Sequence, residues 1–151
     1  MSSVISTSVF TGTNGGTEHT GQSTVTLCAA DALTGGNVIA GSVSYERWIA
    51  LRVDTAPPSG ATSFSITNTG SLPTGVSILF GVTDTPKTPV NTVSTIATMD
   101  LQSGRTYIFD VSTLTAIGQH TRYLVLQEVA AAGTAAGAIN TQAVKFGWSE
   151  N

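Results

Sequence analysis

Apolar and polar residues alternate along this chain in short runs. In residues 47–53, Ile49, Leu51 and Val53 fall on one side and Trp48, Ala50 and Arg52 on the other. Period-two alternation marks a half-buried strand, because successive side chains of an extended backbone point to opposite faces. The same pattern sets Phe64 and Ile66 against Ser63, Ser65 and Thr67. It places Val76, Ile78, Phe80 and Val82 on one face, and Tyr107, Phe109 and Val111 opposite Thr106, Ile108 and Asp110. Further strands are predicted within residues 3–10, 23–30 (Val25 and Leu27 on one face), 35–43, 93–101, 121–130 and 142–151.

Turn residues punctuate these runs: Asn14-Gly15, the Pro57-Pro58-Ser59-Gly60 sequence, Pro86 and Pro89. About nine or ten short strands spaced in this way predict an all-β chain: a single-domain antiparallel β-sandwich, jelly-roll-like, spanning residues 1–151. Residues 1–23, with the Gly-rich TGTNGGTEHTGQ, are either an arm or loop region or a strand. No segment has a sustained helical period. In VAAAGTAAGAIN, residues 129–140, Gly133 and Gly137 would each cost a helix about 1 kcal/mol, which leaves a loop or a single helical turn.

Composition changes the picture of the surface. A chain of 151 residues suffices for one domain with a real core. Charged residues are only 10% of it, against about 25% in ordinary soluble domains. Small residues take their place, with 25 Thr and 16 Gly. So little charge makes a protein poorly soluble alone, so much of the surface is expected to lie under partner protein. The alternative is a β domain hydrated by its hydroxyls. The net charge is −3, and the cations Arg47, Arg52, Lys87, Arg105, Arg122 and Lys145 are scattered singly. Phosphate binding needs clustered cations, so no nucleic-acid partner is expected. The opening MSSVISTSVF lacks a basic segment followed by an apolar one, and no apolar run approaches the roughly 18 residues of a membrane helix. Synthesis in a reducing cytosol, no membrane partner, and a buried thiol at the lone Cys28 are the corresponding expectations.

Candidate chemistry is sparse. His19 and His120 are far apart and lack the spacing of zinc ligands. There is no nucleophile-elbow pattern, and the glycines of TGTNGG do not open a helix as a phosphate loop must. Asp54, Asp84, Asp100 and Asp110 sit on or at the ends of apolar runs, where aspartate makes Asx turns or, alternatively, calcium ligands at a sandwich edge. No catalytic residue, cofactor or metal site is assigned, and the chain reads as non-enzymatic. Trp48 beside Arg52 has two readings: core packing under a second layer, or an exposed platform for a sugar ring. Trp148 either completes a terminal strand or inserts into a neighbouring subunit.

A short, Lys-poor, Thr/Gly/Ala-rich β chain with Met1 in place and no export signal resembles the capsid decoration, or cement, proteins of tailed bacteriophages. The likeness covers the whole chain, in composition and strand spacing. Locally, RWIALRVD, ATSFSIT and GRTYIFDVSTL, with FDVS at Phe109–Ser112, are similar to jelly-roll modules of bacterial surface proteins. The first resemblance implies a homotrimer on the capsid surface of a virion, made in the host cytoplasm, that binds the major capsid protein and holds the shell together. Val4, Ile5, Val9 and Phe10, with Ala130, Ala131, Ala132, Ala135 and Ala136, are the expected contacts. The alternative is a glycan- or receptor-binding domain of a phage tail fibre or bacterial surface protein, with Trp48 and Arg52 at its site. A hydroxyl-rich strand face suits the first reading, because it lies against protein without the desolvation cost of Lys or Glu.

Overall fold

Nine strands carry the alternating runs: β1 (Val4–Thr11), β2 (Thr17–His19), β3 (Arg47–Thr55), β4 (Ala61–Asn68), β5 (Val76–Thr83), β6 (Met99–Asp100), β7 (Thr106–Asp110), β8 (Tyr123–Ala130) and β9 (Val144–Glu150). The computed structural model describes all residues except 1–3, 23, 24, 26, 28–30, 32–37, 57, 58, 71, 73, 134–143 and 151. The strands form a large sheet in the order β2-β1-β3-β8-β5-β6 and a small sheet in the order β7-β4-β9. All strand pairings are antiparallel. From β3 onward the chain repeatedly crosses between the sheets, giving the all-β sandwich that the alternation predicts.

The space between the sheets is filled by the predicted apolar faces. Ile49, Leu51 and Val53 of β3 meet Phe64 and Ile66 of β4, Ile78 and Phe80 of β5, Phe109 of β7, and Leu124 and Leu126 of β8. Phe80 and Tyr107 bridge the two sheets with ring centroids 4.8 Å apart. Phe146 and Trp148 of β9 pack half-buried against the same core, so Trp148 completes the small sheet.

The other face of the large sheet is also covered, which period-two patterning does not announce. Trp48, Ala50, Phe10, Val125 and Ala97 form a second buried cluster, flanked by Leu79, Ile96 and Tyr123. Residues 84–98 cross this face as a strap. Gly81 of β5 makes the crossing possible, since a Cβ there would lie 1.9 Å from the Ile96 carbonyl oxygen. Trp48 is therefore core under a second layer. It is 0% exposed, which corrects the reading of an exposed aromatic platform.

A buried polar network pins the strap. Ser94 Oγ donates to Glu46 Oε2 and accepts from the Ile96 and Ala97 N–H groups. Gln127 Oε1 accepts from Ser94 N–H at 2.9 Å, and its Nε2 donates to the carbonyls of Ser44 (2.9 Å) and Thr92 (2.7 Å). The Val90 N–H donates to Glu46 Oε1 at 3.3 Å. A strap outside any ladder needs such partners, because a buried unbonded backbone group costs about as much as a lost hydrogen bond.

Several expectations are corrected. The strand expected over 93–101 is only Met99–Asp100, because the residues before it belong to the strap. In 35–43 the described part contributes one isolated bridge, Val43 to Val129. Of the alternatives for residues 1–23, the strand is the one found: Val4–Thr11 and Thr17–His19 form a hairpin. Val111 leaves the Tyr107–Phe109 face and is 75% exposed, because β7 ends in a turn at Asp110. Most of the strand expected over 23–30, and Cys28 with it, lies outside the described residues.

Substituting Gly81→Ala should force the strap off β5. We expect destabilisation of about 1–3 kcal/mol by denaturant unfolding, with increased exposure of Trp48 to a collisional fluorescence quencher.

Candidate functional site

The outer face of the small sheet carries exposed side chains at Thr106, Ile108, Lys145 and Ser149 and half-buried ones at Thr62, Ser65 and Thr67. Pairing across it gives rows: Thr106–Thr67–Lys145, Ile108–Ser65–Gly147, and Thr62–Ser149. These side chains point away from the core because Phe64, Ile66, Tyr107, Phe109 and Phe146 occupy the inward positions. Thr67 and Thr106 share a hydroxyl–hydroxyl bond of 2.7 Å, and the Thr62 hydroxyl donates to the Val111 carbonyl at 2.9 Å. A bulge near Ser63, whose φ is 56°, shifts the register of β4 on both sides. Gly147 contributes no side chain, and a Cβ there would lie 3.0 Å from Ser65 Oγ. The result is a low, hydroxyl-bearing surface with one charged side chain in its rows, Lys145, and one exposed apolar one, Ile108 at 60%.

The expected contact residues are not brought together here. Val9 (1% exposed), Phe10 (7%) and Ala130 (4%) are buried within the chain, so their assignment as contacts is corrected. Val9 and Phe10 were on a strand of the large sheet, not a free arm, and packing claimed them. Val4 is exposed and Ile5 half-buried at the start of β1, while Ala131 and Ala132 are exposed beyond β8. Ala135 and Ala136 lie outside the described residues.

Arg52, the partner proposed for Trp48, pairs with Glu18 at 2.9 Å on the outer face of the large sheet. Ser8 Oγ donates to Glu18 Oε2 at 3.2 Å. Tyr123 lies nearby, its ring 5.1 Å from Phe10 and 5.4 Å from His120. Burial, and then the Glu18 charge, push the Tyr123 hydroxyl pKa above its ordinary 10.0. His19 Nε2 is bonded to Thr11 Oγ1 at 2.9 Å, and His120 Nδ1 is 2.7 Å from the Thr121 carbonyl. The two histidines thus stand in separate local contacts. Elsewhere, Val38, Ile39, Gly41–Val43 and Asn91–Val93 line a shallow open groove of about 570 Å³.

Of the aspartates, Asp110 has a definite role. Its Oδ1 accepts from the Ser112 N–H (2.8 Å) and hydroxyl, and Oδ2 accepts from the Arg122 N–H at 2.7 Å. It ties the end of β7 to the approach to β8 and makes the Asx turn expected there. Burial pushes its pKa up, but the bonds from Ser112 and Arg122 and the Arg122 charge outweigh burial and hold the carboxyl below its ordinary 3.8. Asp84 forms an exposed ion pair with Arg122 at 2.6 Å, worth little in water. Among the described residues no three His, Cys, Asp or Glu side chains gather as a metal site, and no helix is long and apolar enough to cross a membrane.

Glu128 was not singled out by sequence reasoning, since it sits in a plain strand run. Its side chain is 7% exposed, Oε1 has no hydrogen-bond partner, and burial pushes its pKa above the ordinary 4.5. No family model, curated protein or solved structure matches the chain.

The two carboxyls should act on stability with opposite signs. A raised folded-state pKa means the charged form opposes folding, so Glu128 costs stability above its raised pKa and the cost fades as pH falls toward 4.5. Glu128→Gln should therefore be more stable than the parent at pH 7, with the difference shrinking on acidification. Asp110 stabilises above pH 3.8 and loses that contribution as pH falls through its lower folded-state value. Asp110→Asn should cost about 2 kcal/mol at pH 7 and less below pH 3, read from urea unfolding at each pH.

Proposed function

We propose that this chain is a non-enzymatic structural protein that decorates the outside of a tailed-phage capsid and stabilises the shell, with the outer face of the small sheet laid against the major capsid protein. The observation that carries the reading is that face. Its rows hold the hydroxyls of Thr62, Ser65, Thr67, Thr106 and Ser149, the bare backbone of Gly147, and a single cation, Lys145. Covering it desolvates almost no charge, and the hydroxyls of Thr62, Thr67 and Thr106 already bond one another or the backbone. Interfaces of this kind need not be greasier than ordinary surface. The whole-chain charge deficit fits the same economy of desolvation, as does the resemblance to decoration proteins. The glycan-binding alternative depended on an exposed Trp48, and the indole is buried beneath the strap.

Bound at saturation, such a protein stabilises its shell by mass action, by a few kcal/mol per site at about 100 to 1,000 times Kd. The test places charge in the middle of the face with the double substitution Ser65→Glu and Thr67→Lys. Circular dichroism should remain that of the parent. Co-sedimentation with purified capsids should weaken by at least tenfold, and the shell's gain in heat resistance should disappear. Unchanged capsid binding by the folded variant would overturn the assignment of this face. Failure of the parent to bind capsids, with capture on a glycan array, would overturn the function itself.

A further inference from the structure

Every open sheet has two edges, and the two sheets treat theirs differently. The large sheet ends in β2, three residues long, and β6, two residues long. Strands so short offer little template for another chain. The small sheet ends in β7, five residues, and β9, seven residues. β9 carries exposed Lys145 and Glu150. β7 reads Thr-Tyr-Ile-Phe-Asp and has neither Lys nor Pro to guard its edge. Among the described residues its backbone pairs with β4 and makes no hydrogen bond outside that ladder. On and just beyond this edge strand stand two exposed apolar side chains, Ile108 at 60% and Val111 at 75%.

We propose that β7 pairs with β7 of a second copy of this chain, antiparallel about a two-fold axis at Ile108, joining the two small sheets into one continuous sheet of six strands. The strand is self-complementary in this register. Ile108 faces Ile108, Tyr107 faces Phe109, and Thr106 faces Asp110. No like charges meet, because each copy brings Arg105 at one end of its strand to the Asp110 end of the other. Asp110 brings no unsatisfied charge to the contact, because Ser112 and Arg122 already bond its carboxylate. The paired Ile108 side chains stand on the outer face of the joined sheet.

A three-fold ring built through the same edges would set β7 against β9 of the next copy. Both strands run antiparallel to β4, so that pairing would be parallel, the weaker arrangement. Thr67 pairs with both Thr106 and Lys145, so the ring would also bring the Arg105 end of β7 to the level of Lys145. A two-fold contact avoids both penalties and closes by itself. A five-residue edge covers less than the roughly 1,600 Å² of a standard interface, so the dimer forms reversibly with concentration. The pairing is independent of what the outer face of the small sheet meets, and its test uses no capsid.

Sedimentation velocity of the full chain should show a monomer–dimer equilibrium. Ile108→Lys should move its midpoint to at least tenfold higher concentration without changing the circular dichroism. If the lysine variant fails to fold, Ile108→Thr, which keeps strand propensity, should shift the midpoint in the same direction. Register is tested by cysteine pairs read as tryptic cross-links by mass spectrometry. Under mild oxidation Ile108→Cys should link to itself across the axis, where opposed Cα atoms lie about 4.5–5.5 Å apart. Thr106→Cys should not self-link. A parent that stays monomeric or sediments as a trimer, self-association indifferent to position 108, or self-linking at position 106 but not 108 would overturn the proposal.

Discussion

The burial of β3 and β8 on both faces is the constraint on which the rest of this fold depends. A sandwich ordinarily covers one face of each sheet and leaves the other to water. Here Ile49, Leu51, Leu124 and Leu126 face the small sheet, while Trp48, Ala50 and Val125 on the same strands face the strap. Two cores share one layer of backbone. The large sheet is thereby fixed in register from both sides, and a one-residue slip would exchange the two apolar sets and mismatch both.

The strap holds its place through a chain of dependencies. Gly81 lets its backbone approach β5, Ser94 and Gln127 bond it, and Glu46 receives both the Ser94 hydroxyl and the Val90 N–H. These groups are buried, so each has value only while the others are present. Among the described residues, no comparable strap is bonded over the outer face of the small sheet. The molecule therefore divides into a doubly covered layer, which supplies rigidity, and a thinner three-stranded layer whose β7 edge has no ladder partner among the described residues.

That division bears on function. The inner face of the small sheet is anchored by Phe64, Ile66, Phe109, Phe146 and Trp148, so its outer face is set before any partner arrives. Surfaces that are set before binding lose less to ordering when a partner arrives. Hydroxyls, a glycine and a single lysine suit a broad protein–protein contact better than a pocket for a small ligand, which requires concavity and convergent polar groups.

Much of the architecture was legible from the chain alone. Alternation in residues 47–53, 63–67, 76–82 and 106–110 identified the strands and their inward faces, because side-chain direction in an extended chain follows from spacing in the sequence. The Asx turn at Asp110 was legible for the same local reason. Other features required the tertiary structure. Ile49 and Trp48 look alike as strand positions on opposite faces, and only the distant strap shows that both are core. The strap itself reads as a strand where Ile96 and Ala97 belong to the covering layer. The strand at Val9 and Phe10 was legible, but that both faces of it would be claimed by packing within the chain was not. The edge position of Ile108 was hidden as well. Alternation put it on the outer face, but only the strand order makes β7 an edge. Local periodicity records which way a side chain points, whereas burial and edges are decided by what the chain brings from elsewhere to lie beside it.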